Sequence, residues 1–94
     1  MTGLNEEERA EIRRIAGRYG ATNVRLFGSH ARGEARRDSD VDLLVRRGPD
    51  MSLLDLIGME QEIENCLGRA VDLLTDSGLS PYLRDRILAE AVAL

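Results

Sequence analysis

The hydrophobic positions of this chain follow two spacings, one typical of amphipathic helices and one typical of short strands. In the first segment Ile12, Ile15, Ala16 and Tyr19 recur every three or four residues, which places them on one helix face. Apolar runs of four or five residues, bounded by turn-forming residues, predict strands. These patterns predict helices at about 6–19, 53–67 and 81–93, strands at 24–27, 41–45 and 71–74, and a short helix that opens within 28–33.

The predicted helix starts carry residues that cap helices. Asn5 followed by Glu8 fits a capping box, and Ser52 followed by Asp55 has the same spacing. Ser80-Pro81 fits an N-cap and a first helical residue. The resulting order, α-β-α-β-α-β-α, predicts the α/β (α+β) class with a small three-stranded mixed sheet and helices packed on it.

Composition places this pattern in one small folded domain. Hydrophobic residues make up 43% of the 94 positions and aromatic residues 3%, so we expect a single aliphatic core in one domain spanning 1–94. Charged residues make up 32% and nearly balance in sign, which argues against disorder. No apolar run approaches the ~18 residues of a membrane span. The acidic start also lacks the layout of a signal peptide, so we expect a cytoplasmic protein without membrane contact.

Charge is distributed unevenly along the chain. The net charge is −4, which argues against general nucleic-acid binding, yet residues 25–47 contain six arginines and four acidic residues. Such a basic segment could attract a small polyanion such as a nucleoside triphosphate. It could equally be a solvated turn, and the sequence alone leaves both interpretations open.

Three aspartates on two predicted strands form the main candidate for chemistry. Asp40 and Asp42 are two residues apart, so they share one strand face at a spacing of roughly 6–7 Å. The sequence Val-Asp-Leu-Leu occurs at 41–44 and again at 71–74. If these strands are neighbours, Asp72 faces Asp42 across about 5 Å. Such a cluster suits Mg²⁺ or Mn²⁺, although each aspartate taken singly is more simply a surface residue at a strand end.

A Gly28-Ser29 pair directly follows the first predicted strand. Glycine lets the backbone approach a bulky anion, and the Ser29 hydroxyl with nearby backbone amides can donate to phosphate oxygens. The pair alone is a common turn. The pair becomes a more specific indication of a phosphate-binding site because Asp40 follows eleven residues after Ser29, within one strand-turn-strand unit.

The motifs Leu26-Phe27-Gly28-Ser29-His30-Ala31-Arg32-Gly33 and Ser39-Asp40-Val41-Asp42-Leu43-Leu44 together resemble those of the nucleotidyltransferase superfamily of DNA polymerase β. Within it, the chain is similar to the minimal nucleotidyltransferases. The resemblance covers essentially the whole chain, and Asp72 stands where that family has its third carboxylate.

This resemblance implies a reaction and a set of roles. Asp40, Asp42 and Asp72 would be catalytic and would bind two Mg²⁺ ions, with Mn²⁺ as a possible substitute. Gly28 and Ser29 would hold the β- and γ-phosphates of ATP or another nucleoside triphosphate. An acceptor hydroxyl would attack the α-phosphorus and pyrophosphate would leave. Arg32 would bind the nucleotide, or would instead anchor the short helix to Glu34 or Asp38.

The resemblance also implies a partner, because minimal nucleotidyltransferases are similar to antitoxins that transfer AMP to a tyrosine of a HEPN-domain toxin. Two alternatives stay open: a binding module that neutralises such a partner by contact alone, and transfer to a small molecule of the aminoglycoside type. The last predicted helix, apolar up to Leu94, would pack on the sheet or dock a partner.

Overall fold

The computed structural model describes residues 4–33 and 40–94. The two longest helices begin and end where local sequence signals place them. Asn5 and Ser52 both form complete capping boxes at their starts, and the backbones of Gly20 and Gly68 end them in the left-handed conformation. The described elements are α1 Glu6–Tyr19, β1 Thr22–Phe27, α2 Gly28–Arg32, β2 Val41–Arg46, α3 Leu53–Leu67, β3 Val71–Thr75, a 3₁₀ turn Asp76–Gly78, α4 Pro81–Glu90 and β4 Val92–Ala93.

The strands form one mixed sheet in the order β3-β2-β1-β4. β1 runs antiparallel to both β2 and β4, whereas β2 and β3 are parallel neighbours. The α/β class and the mixed sheet predicted from the sequence are therefore confirmed. The parallel pair is the part of the sheet that carries the aspartates of the repeated Val-Asp-Leu-Leu sequence.

The predicted strand count was wrong, because the sheet has four strands instead of three. The last helix ends at Glu90 and not at residue 93, since Ala91 adopts an extended backbone with φ −67° and ψ 137°. The chain then runs along β1 as β4, and the Leu94 N–H donates to the Val24 carbonyl at 3.1 Å. This pairing satisfies polar backbone groups on the edge of β1, which one further helical turn would have left to solvent.

The sheet separates two apolar clusters, as the alternation of side chains along a strand requires. On one face, buried side chains of α1 and α3, including Ile12 and Met59, pack against Leu43 and form the main core. On the other face, Ile87 of α4 packs against Leu44 and Phe27. Ile87 thus shows that the last helix packs on the sheet, and docking of a partner stays a prediction. Within the described ranges, the helices are too short and too polar to cross a membrane.

Candidate active site

The parallel pairing of β2 and β3 brings two of the three predicted aspartates together. Asp42 and Asp72 are direct partners in the register. Their strands are therefore neighbours, with backbones about 4.8 Å apart, so the condition for Asp72 to face Asp42 is met. Both residues alternate onto the sheet face that carries Leu44 and α4. The register thus fixes a carboxylate pair near the beginning of both strands.

Asp40 precedes this pair on the chain and completes the predicted set. It lies one residue before β2 and is exposed, as is Asp72, whereas Asp42 is half-buried. Over residues 4–33 and 40–94, no three acidic, histidine or cysteine side chains are already gathered closely enough to hold a metal ion. The fold therefore supplies a pair of carboxylates in register and a third on the same strand end.

The electrostatics of Asp42 reflect this crowding. Burial raises the pKa of Asp42 above its ordinary value, and the negative charges of Asp72 and Asp40 raise this pKa further. The nearby side chains of His30 and Arg32 oppose that rise. The site thus concentrates negative charge around one half-buried carboxylate, and all its donors are oxygens. These carboxylate ligands and the repulsion between them fit a hard divalent cation such as Mg²⁺.

Gly28 places the predicted phosphate-binding turn directly against this carboxylate. Its backbone has φ +73°, and a Cβ built there would lie 2.1 Å from Oδ2 of Asp42. A side chain there would displace the Asp42 carboxylate, and the positive φ would strain any residue with a Cβ, so glycine is what lets the turn approach Asp42 this closely. Ser29 follows in the first turn of α2 and is half-buried. The Gly-Ser pair and the aspartates therefore belong to one site.

Glu90 is a member of the site that sequence reasoning missed. Its Oε1 accepts hydrogen bonds from the Gly28 backbone N–H and from Nη1 of Arg32, each at 3.0 Å, and its Oε2 lies 3.2 Å from the same Nη1. The carboxylate thereby joins the end of α4 to α2. A weak signal was present, since Glu90 is the last acidic residue of the predicted helix at 81–93. Nothing local indicates that it reaches Gly28, which is 62 residues away.

Arg32 was expected either to bind the nucleotide or to anchor the short helix to an acidic residue. It is bound to Glu90 and is well exposed at the end of α2. The anchors considered from the sequence, Glu34 and Asp38, lie outside the described residues, as do Arg36 and Arg37. His30, on the same short helix, is buried.

Comparison with known proteins agrees with this geometry. The family model described as nucleotidyltransferase domain matches residues 9–94. A candidate protein adenylyltransferase of Methanocaldococcus jannaschii is 45% identical over 89 residues, covering 95% of each chain. The protein adenylyltransferase MntA of Thermococcus cleftensis is 40% identical over 83 residues, covering 88% of this chain and 84% of that protein.

Solved structures share the fold. A candidate minimal nucleotidyltransferase superimposes with a TM-score of 0.85 at 44% identity, covering 94% of this chain and 90% of the other. A complex of a tri-AMPylated Shewanella oneidensis HEPN toxin with its MNT antitoxin contains a chain that matches with a TM-score of 0.74. That match has 16% identity, covers 96% of this chain and 71% of the other, and shows the fold alone. The chain therefore belongs to the nucleotidyltransferase domain family and is a nucleotidyltransferase.

Proposed function

We propose that this enzyme transfers the AMP group of ATP, with Mg²⁺, to a hydroxyl of a protein acceptor. The acceptor oxygen forms a bond to the α-phosphorus, the bond from that phosphorus to the bridging oxygen of the β-phosphate breaks, and pyrophosphate leaves. The proposal rests chiefly on one observation: Asp42 and Asp72 lie in register on parallel strands, and Gly28 packs against Asp42.

The aspartates are the residues that would hold the metal. Asp40, Asp42 and Asp72 offer only carboxylate oxygens, the ligand type that Mg²⁺ prefers, and Mn²⁺ accepts the same set. When bound, two such ions neutralise charge on the attacking and leaving oxygens. The raised pKa of Asp42 supports this assignment, because a divalent cation relieves the repulsion that contributes to it.

The remaining roles belong to the chain's own side chains and backbone. Asp72 is the more exposed partner of the carboxylate pair and accepts the proton of the attacking hydroxyl. Gly28 and Ser29 lie beside Asp42 and bind the β- and γ-phosphates. Gly28 does so by letting them approach the backbone, because its N–H is bonded to Glu90, and Ser29 does so by donating from its hydroxyl. Arg32, bound to Glu90 at the same turn, adds positive charge where the triphosphate lies.

The relatives suggest the nature of the acceptor. One of them is described as a protein adenylyltransferase and another as a candidate one, and both cover most of this chain. A protein of the same fold forms a complex with a tri-AMPylated HEPN toxin. We therefore infer a protein hydroxyl as the acceptor, specifically a tyrosine of a HEPN-domain partner, and an antitoxin role for this chain.

The test follows the label from ATP. The protein is purified with its bound partner and incubated with Mg²⁺ and ATP labelled at either the α- or the γ-phosphate. We expect label on protein from the α position only, and its loss in Asp42→Asn. Asp85→Asn is the matched control, because Asp85 is an exposed aspartate on α4.

Three outcomes would contradict the proposal. Labelling from the γ position without labelling from the α position would indicate phosphoryl transfer, with ADP as the leaving group, instead. Undiminished labelling by Asp42→Asn would remove the aspartate from the chemistry. A partner that stays bound and inhibited by Asp42→Asn, with no labelling by the wild-type chain, would favour neutralisation by contact alone.

A further inference from the structure

A second polar cavity lies on the same sheet face as the carboxylates but at the other end of the strands. Its volume is about 310 Å³, and its lining residues are Arg46, Arg47, Asp76, Ser77 and Arg84. Arg46 ends β2, four residues after Asp42, so the two are roughly 13 Å apart along the strand. The cavity is thus separate from the site assigned to nucleotidyl transfer.

Positive charge dominates this cavity. Its single acidic lining residue, Asp76, pairs with Arg25 beneath it, and both side chains are mostly buried. Asp76 is shared between Arg25 and Arg46, both of which form ion pairs with it. Together with Arg47 and Arg84, four guanidinium groups therefore face one carboxylate, an excess of three positive charges. This excess stands out in a chain whose net charge is −4.

Arg46, Arg47 and Arg84 use few of their guanidinium N–H groups in hydrogen bonds within the protein. Arg84 donates one hydrogen bond from Nη1 to the Asp76 carbonyl at 3.1 Å, and Arg47 donates one from Nε to the Met51 carbonyl at 2.8 Å. Nε of Arg46 lies 3.8 Å from Oδ2 of Asp76, which is beyond hydrogen-bond distance. Since each guanidinium carries about five N–H donors, most donors remain available to a ligand in the cavity.

We propose that this arginine cavity binds a phosphate group carried by a small anion. Guanidinium groups match tetrahedral phosphate oxygens bidentately, and several positive charges favour a dianion over a single carboxylate. The side chains come from three separate segments, namely β2 with the residue after it, the turn after β3, and α4. The phosphate group is either free, as phosphate or pyrophosphate, or carried by a nucleotide.

The test is a titration of the ¹⁵N-labelled chain, followed by NMR in EDTA so that no divalent metal supports binding at the aspartates. The probes are inorganic phosphate, pyrophosphate, AMP and acetate. We expect saturable shifts centred on Arg46 and Ser77 with phosphate-bearing probes and weak ones with acetate. The double variant Arg46→Gln/Arg84→Gln should weaken binding by about tenfold or more, because it removes charge-assisted hydrogen bonds.

The matched control is Arg13→Gln/Arg86→Gln, which loses the same charge from two exposed arginines outside the cavity lining. It should bind the probes within about twofold of the wild type, since screened charges outside the cavity contribute little. Tighter binding of AMP than of phosphate identifies a nucleotide as the source, and equal or weaker binding identifies the free anion. The proposal is overturned by the absence of saturable shifts, by equal affinity for acetate, or by equal weakening in the control.

Discussion

Replacing Asp42 by asparagine should stabilise the metal-free protein while abolishing nucleotidyl transfer. The substitution keeps the shape of a half-buried side chain but removes its charge. That charge lies in register with Asp72 and close to Asp40, and both raise the pKa of Asp42. A residue kept for catalysis at the expense of stability behaves in this way.

The structure sets the size of the effect. Two carboxylates about 5 Å apart repel by about 3 kcal/mol at an effective dielectric constant near 20, and by about 0.8 kcal/mol in water. Because Asp72 is exposed, its charge is largely screened, and we expect a gain of about 1 kcal/mol. In a domain of this size that gain raises Tm by about 4–8 °C.

The pH dependence has a definite sign. The pKa of Asp42 in the folded state is raised from 3.8, so the folded wild type binds a proton more tightly than the unfolded chain does. The wild type therefore gains stability relative to Asp42→Asn as the pH falls through the folded pKa. We expect the largest difference near neutral pH and almost none below 3.8.

Thermal unfolding in EDTA between pH 3 and pH 8 measures this difference, with Asp85→Asn as the control. Adding Mg²⁺ should then stabilise the wild type and leave Asp42→Asn unchanged, because ligand binding to the folded state raises stability. The reasoning is refuted if Asp42→Asn is less stable than the wild type at neutral pH without metal. A difference that grows in acid would refute it equally.

Three further substitutions probe the packing around the site. Gly28→Ala should lower the free energy of unfolding, measured in urea, by about 1–3 kcal/mol more than Gly33→Ala does. Both glycines have φ above +70°, but only a Cβ at Gly28 meets Asp42. Equal losses would show that backbone strain alone matters. Glu90→Gln should lower the free energy of unfolding by about 1–2 kcal/mol and raise the KM for ATP, because it weakens the hydrogen bonds that hold Gly28 and Arg32 together. Asp85→Asn is the control, and an unchanged KM would argue against this role. Leu94→Pro should destabilise the protein by about 1 kcal/mol more than Leu94→Ala, because only proline removes the N–H that donates to the Val24 carbonyl. Matching unfolding curves would mean that this hydrogen bond contributes nothing to stability.

Much of the candidate site was predictable because its signals are short in sequence. Gly28, Ser29, Asp40 and Asp42 lie within fifteen residues of the chain. The pairing of Asp42 with Asp72 was expected only if their strands were neighbours, and the parallel pairing meets that condition. The predicted binding and catalytic roles of these residues remain predictions. The nucleotidyltransferase family itself is confirmed by the family model and by the relatives.

The failures concern contacts between distant parts of the chain. Residues 91–94 have an apolar pattern that suits either a helix or a strand, so the fourth strand was missed. Only the unpaired edge of β1 decides between them, and that edge exists only after the sheet forms. Glu90 and Asp76 were overlooked for a similar reason, since their partners Gly28 and Arg25 lie 62 and 51 residues away.

The sequence by itself determined the helices, the three longer strands, the caps and the motif that identifies the family, because capping, periodicity and turn chemistry act between residues close along the chain. The tertiary structure alone decided the parallel register of Asp42 with Asp72 and the close approach of Gly28 to Asp42. It alone also decided the hydrogen bond from Gly28 to Glu90 and the convergence of three arginines on one cavity. Each of these depends on packing two sheet faces at once. Such packing selects among many side-chain pairings that local sequence leaves equally available.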